Sequence, residues 1–514
     1  MKRLLQYLYN GTNYEPDAQK RRLLFWTGVI ALCANGYAFV NYMPTHDAIN
    51  HMFSSAGKWE VQLGRFLQPY YVYLRGNVVS PWLVGVIGTV FAVMSAFFIA
   101  DIIKISNPVC EILACGFLVS NLAVTELCGI YIYIYDCCMI ALFFACLAVW
   151  CLIHIRSPWN IIAGAVCLVV SMGFYQAYLS VTIVLCGLVL LQKALADSSW
   201  KEEVRSAFTM ILTAVTGCAA YLSVYKILLL RWHTTSTNGS NGMGRLAELS
   251  VQAVFGNIMK TYKDILQFFI TDSRYFGGVV CALHGLLLLA ALAGFAVWLF
   301  QKKIQIHNAV VAILIFITLP VWCNFISVIQ GENIVLRSSY ALYLLFPVCL
   351  MIAGNCKHIR VRKPMQYLTA FICCFLLVRN VQYSNTVYMY ARVTYDRTVS
   401  IMTRVLDDIE EQEGYESGVT PVAVIGEFSK NDYVEAWHGD YKFVNGHSKA
   451  STTYPQTTYN FWRSMGSPVN GIEEKDVLKT YEESDEVQQM PCYPHDGYCR
   501  MIDDVLVVKV ADRR

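Results

Sequence analysis

The run Arg21-Arg22-Leu23-Leu24-Phe25-Trp26-Thr27-Gly28-Val29-Ile30-Ala31-Leu32-Cys33, continued without a charge to Met43, decides the fold. A hydrocarbon core needs about 20 apolar residues per helix, and this run supplies them directly behind two cations. It lacks a small-x-small cleavage site, so it reads as a retained spanning helix, 23–43, and not as a leader. Runs of the same kind recur at 81–102, 108–125, 135–154, 159–175, 177–195, 207–230, 277–300, 308–328, 337–355 and 366–383, which makes eleven expected spans. The stretch 159–195 is too long for one crossing, and the polar break Phe174-Tyr175-Gln176 divides it in two.

Only 15% of the 514 residues are charged, against about 25% in soluble domains. The deficit lies between Phe25 and Val381; beyond it the composition is that of soluble protein. The expected organisation is therefore an N-terminal tail at 1–22, a transmembrane domain at 23–383 and a soluble domain at 384–514. In the last part, Asp396–Glu411 reads as a helix and Val422–Glu427 and Val505–Val510 as strands, a small α+β domain. The fold class is an all-α polytopic membrane protein with about 11 transmembrane helices and a small extracytoplasmic α+β C-terminal domain. Alternate short loops are rich in Lys and Arg: Arg21 and Arg22, then Lys104, Arg156, Lys193 and Arg205, then Arg360 and Arg362. The positive-inside bias makes the N-terminus cytoplasmic, and an odd number of spans puts the C-terminal domain outside the cell membrane. The net charge of +3 says nothing about partners, because its sign is organised by loop; the apolar spans make a lipid bilayer the expected partner, and no nucleic acid is expected.

Most of the nineteen cysteines lie in apolar runs, where they act as small hydrophobes. Cys492 and Cys499 are in polar sequence on either side of Pro494-His495-Asp496-Gly497. They are the candidate disulfide if the tail lies in an oxidising space.

The candidate chemistry gathers in the long loops 44–80 and 231–276. The first reads Pro44-Thr45-His46-Asp47-Ala48-Ile49-Asn50-His51, then Lys58-Trp59-Glu60-Val61-Gln62-Leu63-Gly64-Arg65. Its apolar spacing suits a helix lying along the interface, with Asp47 at the membrane surface. The second holds a Gly/Ser/Asn stretch, Thr235–Gly244, then an amphipathic segment near Leu246–Phe269. Asp47 can also be read as a helix cap after Thr45, Glu60 as a solvated charge, Arg337 as a membrane-edge anchor. His46, Asp47 and His51 admit a divalent metal, but the spacing alone is a weak signal, and the sequence makes no cofactor certain. Tyr454, Tyr459 and Trp462 in the tail suit a folded core better than a glycan-stacking surface.

An acid just after the first span followed by Trp-x-x-x-x-Gly-Arg, here Trp59 to Arg65, resembles the GtrII-like glucosyltransferases of O-antigen serotype conversion, membrane glycosyltransferases of the GT-C type. The Tyr175-Gln176 pair, Asp136 at the opening of span four and the extracytoplasmic tail extend the resemblance over most of the chain. It implies a GT-C-like transferase that moves a sugar, glucose in the first instance, from a polyprenyl-phosphate carrier to a cell-surface glycan. In that family type an acid of the first outer loop orients or deprotonates the acceptor; the matching residue is Asp47, and His46-Asp47 stands where relatives can show two adjacent acids. By chemistry, a carboxylate takes the acceptor proton and an Arg stabilises the leaving phosphate. Arg65 and Arg337 are the candidates for the phosphate, and Glu60, Asp136, Tyr175, Gln176 and His46 for binding the donor. A single displacement inverts the anomeric centre. The rival reading is a transporter or flippase of lipid-linked sugars. Such proteins place charges or helix breaks at mid-membrane, whereas here the polar candidates gather at one face.

Overall fold

The computed structural model describes residues 18–53, 56–105, 107–237, 250–271, 273–301, 305–331, 333–355, 359–435 and 450–512. Most of the N-terminal tail, the Gly/Ser/Asn stretch from residue 238 and the cations Lys302, Lys303 and Lys357 lie outside them. Nine helical stretches among the described residues are long and apolar enough to cross a membrane. In chain order the first is α1 (Ala18–Val40), and the loop after it carries three short helices, α2 (His46–Phe53), α3 (Lys58–Gln62) and α4 (Gln68–Leu74). Then come α5 (Pro81–Ile103), α6 (Pro108–Ser120) with its continuation α7 (Leu122–Gly129), and α8 (Tyr135–His154). Asn121 interrupts the third span with an extended backbone, and its side chain caps α7 by accepting from the Ala123 and Val124 amides.

The stretch 159–195 is two helices, α9 (Trp159–Tyr175) and α10 (Leu179–Leu195), separated by a 3-10 turn at Gln176–Tyr178. Tyr175 leaves α9 with extended dihedrals, φ −160° and ψ 107°. Ser171 Oγ donates to the Ala141 carbonyl and Thr182 Oγ1 to the Ala145 carbonyl, so both arms lean on the same part of α8. Their far ends meet the other side of the domain: Asn160 Nδ2 donates to Leu152 O, and Gln192 Nε2 donates to Ile103 O. The two arms thus cross separately, as the polar break predicts.

The remaining spans are α11 (Trp200–Arg231), α13 (Ser273–Gln301), kinked at Gly277, α14 (Ile306–Cys323) and the short apolar helix α15 (Leu345–Asn355), reached through 3-10 turns from Leu336. With the short helix counted and 159–195 divided, helices match all eleven apolar runs of the sequence. Between α11 and α13 lies α12 (Val251–Leu266), the expected amphipathic segment; Thr261 and Ile265 are buried while Phe255 and Met259 face outward. On α11, Phe208, Ile211, Val215 and Leu222 stay exposed. An apolar stripe of that extent suits hydrocarbon and not water.

The helix of the last span continues beyond the expected end of the span. It is one 52-residue helix, α16 (Ile359–Glu410). At 1.5 Å per residue it is about 78 Å long, more than twice the ~30 Å hydrocarbon core. Its first half crosses; its second half supplies Ile401, Met402, Val405 and Ile409 to the tail core. The boundary expected at 383/384 therefore falls inside a continuous helix. The sheet of the tail runs β2-β1-β4-β3, with β1 (Pro421–Ile425) parallel to both β2 (Asn470–Gly471) and β4 (Val505–Lys509), and β3 (Cys499–Ile502) antiparallel to β4. Tyr459 and Trp462 of α17 (Pro455–Ser464) are core residues here, and Trp437 and Tyr441 lie outside the described residues. Cys492 and Cys499 are free thiols, and the expected disulfide is not formed. Cys499 is buried in β3 opposite Val508, whereas Cys492 lies within the field of Asp512 and Lys509.

Close helix packing depends on small residues. A Cβ on Gly88 of α5 would lie 2.4 Å from the ring of Tyr135, which is itself fully buried. Gly88→Ala is expected to destabilise the domain by about 1–3 kcal/mol through overpacking, seen as a lower melting temperature in detergent. Gly36→Ala, with nothing within 4 Å of the added atom, is expected to leave that temperature unchanged or raise it slightly.

Candidate active site

Three chain reversals meet at one face of the membrane domain, here called the site face. They are the 44–80 loop, the 130–134 turn and the 175–178 turn, joined by the segment that begins α15's approach at Leu336. The hydrogen bonds explain why. Gln176 Nε2 donates to the Leu63 carbonyl at 2.5 Å and to Tyr221 Oη at 3.1 Å. Tyr221 in turn donates to the Gly64 carbonyl at 2.9 Å, and Tyr225 of the same helix to Gln62 O at 2.8 Å. Gly64 takes φ +85°, a conformation open to glycine at little cost. The Gly64-Arg65 turn is thus clamped from below by the 3-10 turn after α9 and by α11, which aims Arg65.

Arg65 has a singular setting. Its guanidinium carbon stands 4.6 Å from the centre of the Tyr175 ring, and its buried Nε has no hydrogen-bond partner. No described residue makes an ion pair with it. Arg337 approaches the same place. Its Nη1 donates to Glu126 Oε1 and to Tyr131 Oη at 3.1 and 3.2 Å, and its backbone N–H donates to Glu126 Oε2 at 2.7 Å. The guanidinium lies 4.5 Å over the Tyr131 ring. The charges of both arginines act on Tyr175, and those of Arg65, Arg337 and Asp47 act together on Tyr133. These five residues therefore form one constellation. Burial holds the Tyr131 phenol up at about 12, so it is a neutral hydroxyl at physiological pH.

Asp47 lies in the first turn of α2, partly exposed, with His46 Nε2 3.5 Å from its carboxylate. His51 stacks on Tyr133 at 4.2 Å, and burial lowers its pKa against the opposing pull of Glu60 and Asp47, which keeps the ring neutral. Among the described residues no three His, Cys, Asp or Glu side chains are grouped for a metal. Glu60 is buried and accepts from the Gly57 amide at 2.5 Å, and its carbonyl accepts from the Arg65 amide. It braces its own turn.

Asp136 has a different setting from the donor-binding one expected of it. The carboxylate has no exposed surface. It accepts from Arg75 Nη1 at 2.5 Å and Tyr71 Oη at 2.8 Å, and Arg75 also donates to the Tyr133 carbonyl. This pair braces α4 against α8 beneath the site. Glu126 and Arg75 escaped the sequence reading. A lone acid at the end of an apolar run (Thr125-Glu126) is the signal that could have found the first.

The multi-pass membrane domain thus gathers two arginines, two carboxylates and three tyrosines at one face. A family model, Glucosyl transferase GtrII, matches residues 36–352. The chain belongs to this glucosyltransferase family and is a membrane glycosyltransferase. No curated protein and no solved structure matches it.

Removing one partner of a buried ion pair leaves an uncompensated charge, at a cost of about 3–5 kcal/mol. Arg75→Ala is expected to lower thermal stability by that order, measured by detergent unfolding. The double change Arg75→Met with Asp136→Leu, which removes both charges, is expected to recover most of the loss.

Proposed function

We propose that the protein transfers a sugar, glucose in the first instance, from a polyprenyl-phosphate carrier to a surface glycan on the extracytoplasmic face. The observation that carries the reading is Arg65, a partly buried guanidinium with no anion, resting on Tyr175 while Arg337 rests on Tyr131 nearby. Arg337 already has Glu126, so the uncompensated charge is that of Arg65, and a partly buried cation without a counterion is costly unless a ligand supplies one. A phosphate ester is that ligand, because it gains charge as the C1–O bond breaks and paired guanidinium contacts stabilise it. Asp47 then takes the proton of the acceptor hydroxyl as that oxygen attacks C1. One displacement inverts the anomeric centre and leaves polyprenyl phosphate on the arginines. Tyr175 forms the floor between them, and Gln176, Glu60 and Asp136 hold the backbone that carries them. His46 flanks the base.

The carrier's isoprenoid chain fits an apolar cavity between α12, α13, α14 and α15, lined by Ile265, Phe269, Leu287, Leu319 and Phe346. Tyr343 joins the cavity to the phosphate site: its ring meets that of Phe269 at 6.4 Å, and its phenol lies within the field of Glu126. The Lys and Arg bias of the loops supports a cytoplasmic N-terminus, and on that reading the site and tail lie outside.

The test is transfer from radiolabelled polyprenyl-phosphate glucose to native envelope glycan in membranes holding the protein. Asp47→Asn is expected to lower the rate by about 10²–10⁴, the usual worth of a positioned base. Arg65→Ala is expected to cost about 10²–10³, as for loss of one charge-stabilising donor. Labelled lipid crossing vesicles with no new glycosidic bond would instead identify a flippase.

A further inference from the structure

Helix α2 touches two bodies at once. On the membrane side, Thr45 Oγ1 donates to the Ile130 carbonyl at 2.9 Å and His51 stacks on Tyr133. On the tail side, Ile49 is fully buried in the core that holds Ile401 and Trp462. Asn50 uses both ends of its amide there. Its Nδ2 donates to Tyr454 Oη at 2.8 Å, and its Oδ1 accepts from Asn460 Nδ2 at 2.9 Å. Tyr454 precedes α17 and Asn460 lies within it. The charge of Asp47 reaches Tyr454.

An eight-residue helix does not hold its own shape in water, where even ~12–15 residues are marginal. The position of Asp47, three residues before Asn50, is therefore set by what grips α2. The membrane side fixes the two ends of the helix. The tail fixes its middle.

We propose that Asn50 is a positioning residue: through Tyr454 and Asn460 it locks α2 to the tail domain, so that the tail sets where the Asp47 carboxylate meets the acceptor. The proposal rests on Asp47 as the base. The tail is then part of the active site's geometry, and a glycan that displaces Tyr454 or Asn460 releases the base. Acceptor choice becomes a property of the tail-facing side of α2.

The experiment uses the full chain in nanodiscs and compares wild type, Asn50→Ala, Tyr454→Phe, the pair Tyr454→Phe/Asn460→Ala, and the triple variant. Hydrogen exchange of residues 46–53 and steady-state transfer are both measured. In Asn50→Ala the amides of 46–53 are expected to exchange at least tenfold faster, while β1 and β4 and the melting temperature are unchanged. Turnover is expected to fall at least tenfold with the donor KM within twofold. Adding Asn50→Ala to the tail pair is expected to cost nothing more, since the same contacts are already lost. Unchanged exchange at 46–53, or turnover within twofold of wild type, overturns the proposal. So does a loss of activity that tracks loss of tail protection and melting temperature, which would mark a merely structural contact. Tyr454→Phe removes a single hydroxyl and keeps the test open if Asn50→Ala fails to fold. If wild type transfers no sugar, the transferase reading fails, and the exchange data still decide whether the tail holds α2.

Discussion

Two guanidiniums reach the site face, each over its own tyrosine, and only one of them has a carboxylate. Arg337 is neutralised by Glu126 and held over Tyr131, so it is a fixed feature. Arg65 rests on Tyr175 through a cation–π contact, which is worth about 0.5–2 kcal/mol and does not replace an ion pair. Much of the surrounding structure serves to hold Arg65 in that position. Gln176, Tyr221 and Tyr225 grip the carbonyls on its N-terminal side, and Gly64 turns the chain. Glu60 closes the helix before it. The buried Arg75–Asp136 pair supports the floor from below. An arrangement that spends so many buried polar groups on presenting one unpaired cation makes sense for a protein whose ligand brings the anion.

The same economy explains the long helix α16 and the tail. A transferase acting on a glycan outside the membrane needs a base that reaches the aqueous side and a phosphate site at the lipid boundary. The charges of Asp47, Arg65 and Arg337 all act on Tyr133, and in the proposed reading the first is that base and the arginines are that phosphate site. The continuity of α16 carries the tail to the place where α17 packs on α2. Membrane domain and tail therefore meet at α2, which carries Asp47, and the family match over residues 36–352 covers most of the membrane part.

Much of this was legible in the sequence. The eleven apolar runs, the break at Tyr175-Gln176, the amphipathic α12 and the strands β1 and β4 follow from composition and period, because hydrocarbon imposes length and water imposes alternation. The loop residues Asp47 and Arg65 were legible as a motif. What failed did so for a common reason: sequence gives a polar residue's type but not its partner. Asp136 looks like a ligand group until Arg75 and Tyr71 enclose it. Glu126 hides at the end of a span until Arg337, more than two hundred residues away, finds it. The helix of the last span runs on past Val381 without a break, which a change of composition does not reveal. Cys492 and Cys499 are close in sequence, but the pairing of β3 with β4 decides where each thiol goes.

The most direct measurement is a cryo-electron microscopy structure of the full chain with polyprenyl phosphate bound. The account predicts phosphate density between Arg65 and Arg337 above Tyr175, with the isoprenoid chain running past Tyr343 into the cavity beside Phe269 and Phe346. Phosphate on the opposite face, near Lys193 and Arg205, with the arginine pocket empty, would contradict it.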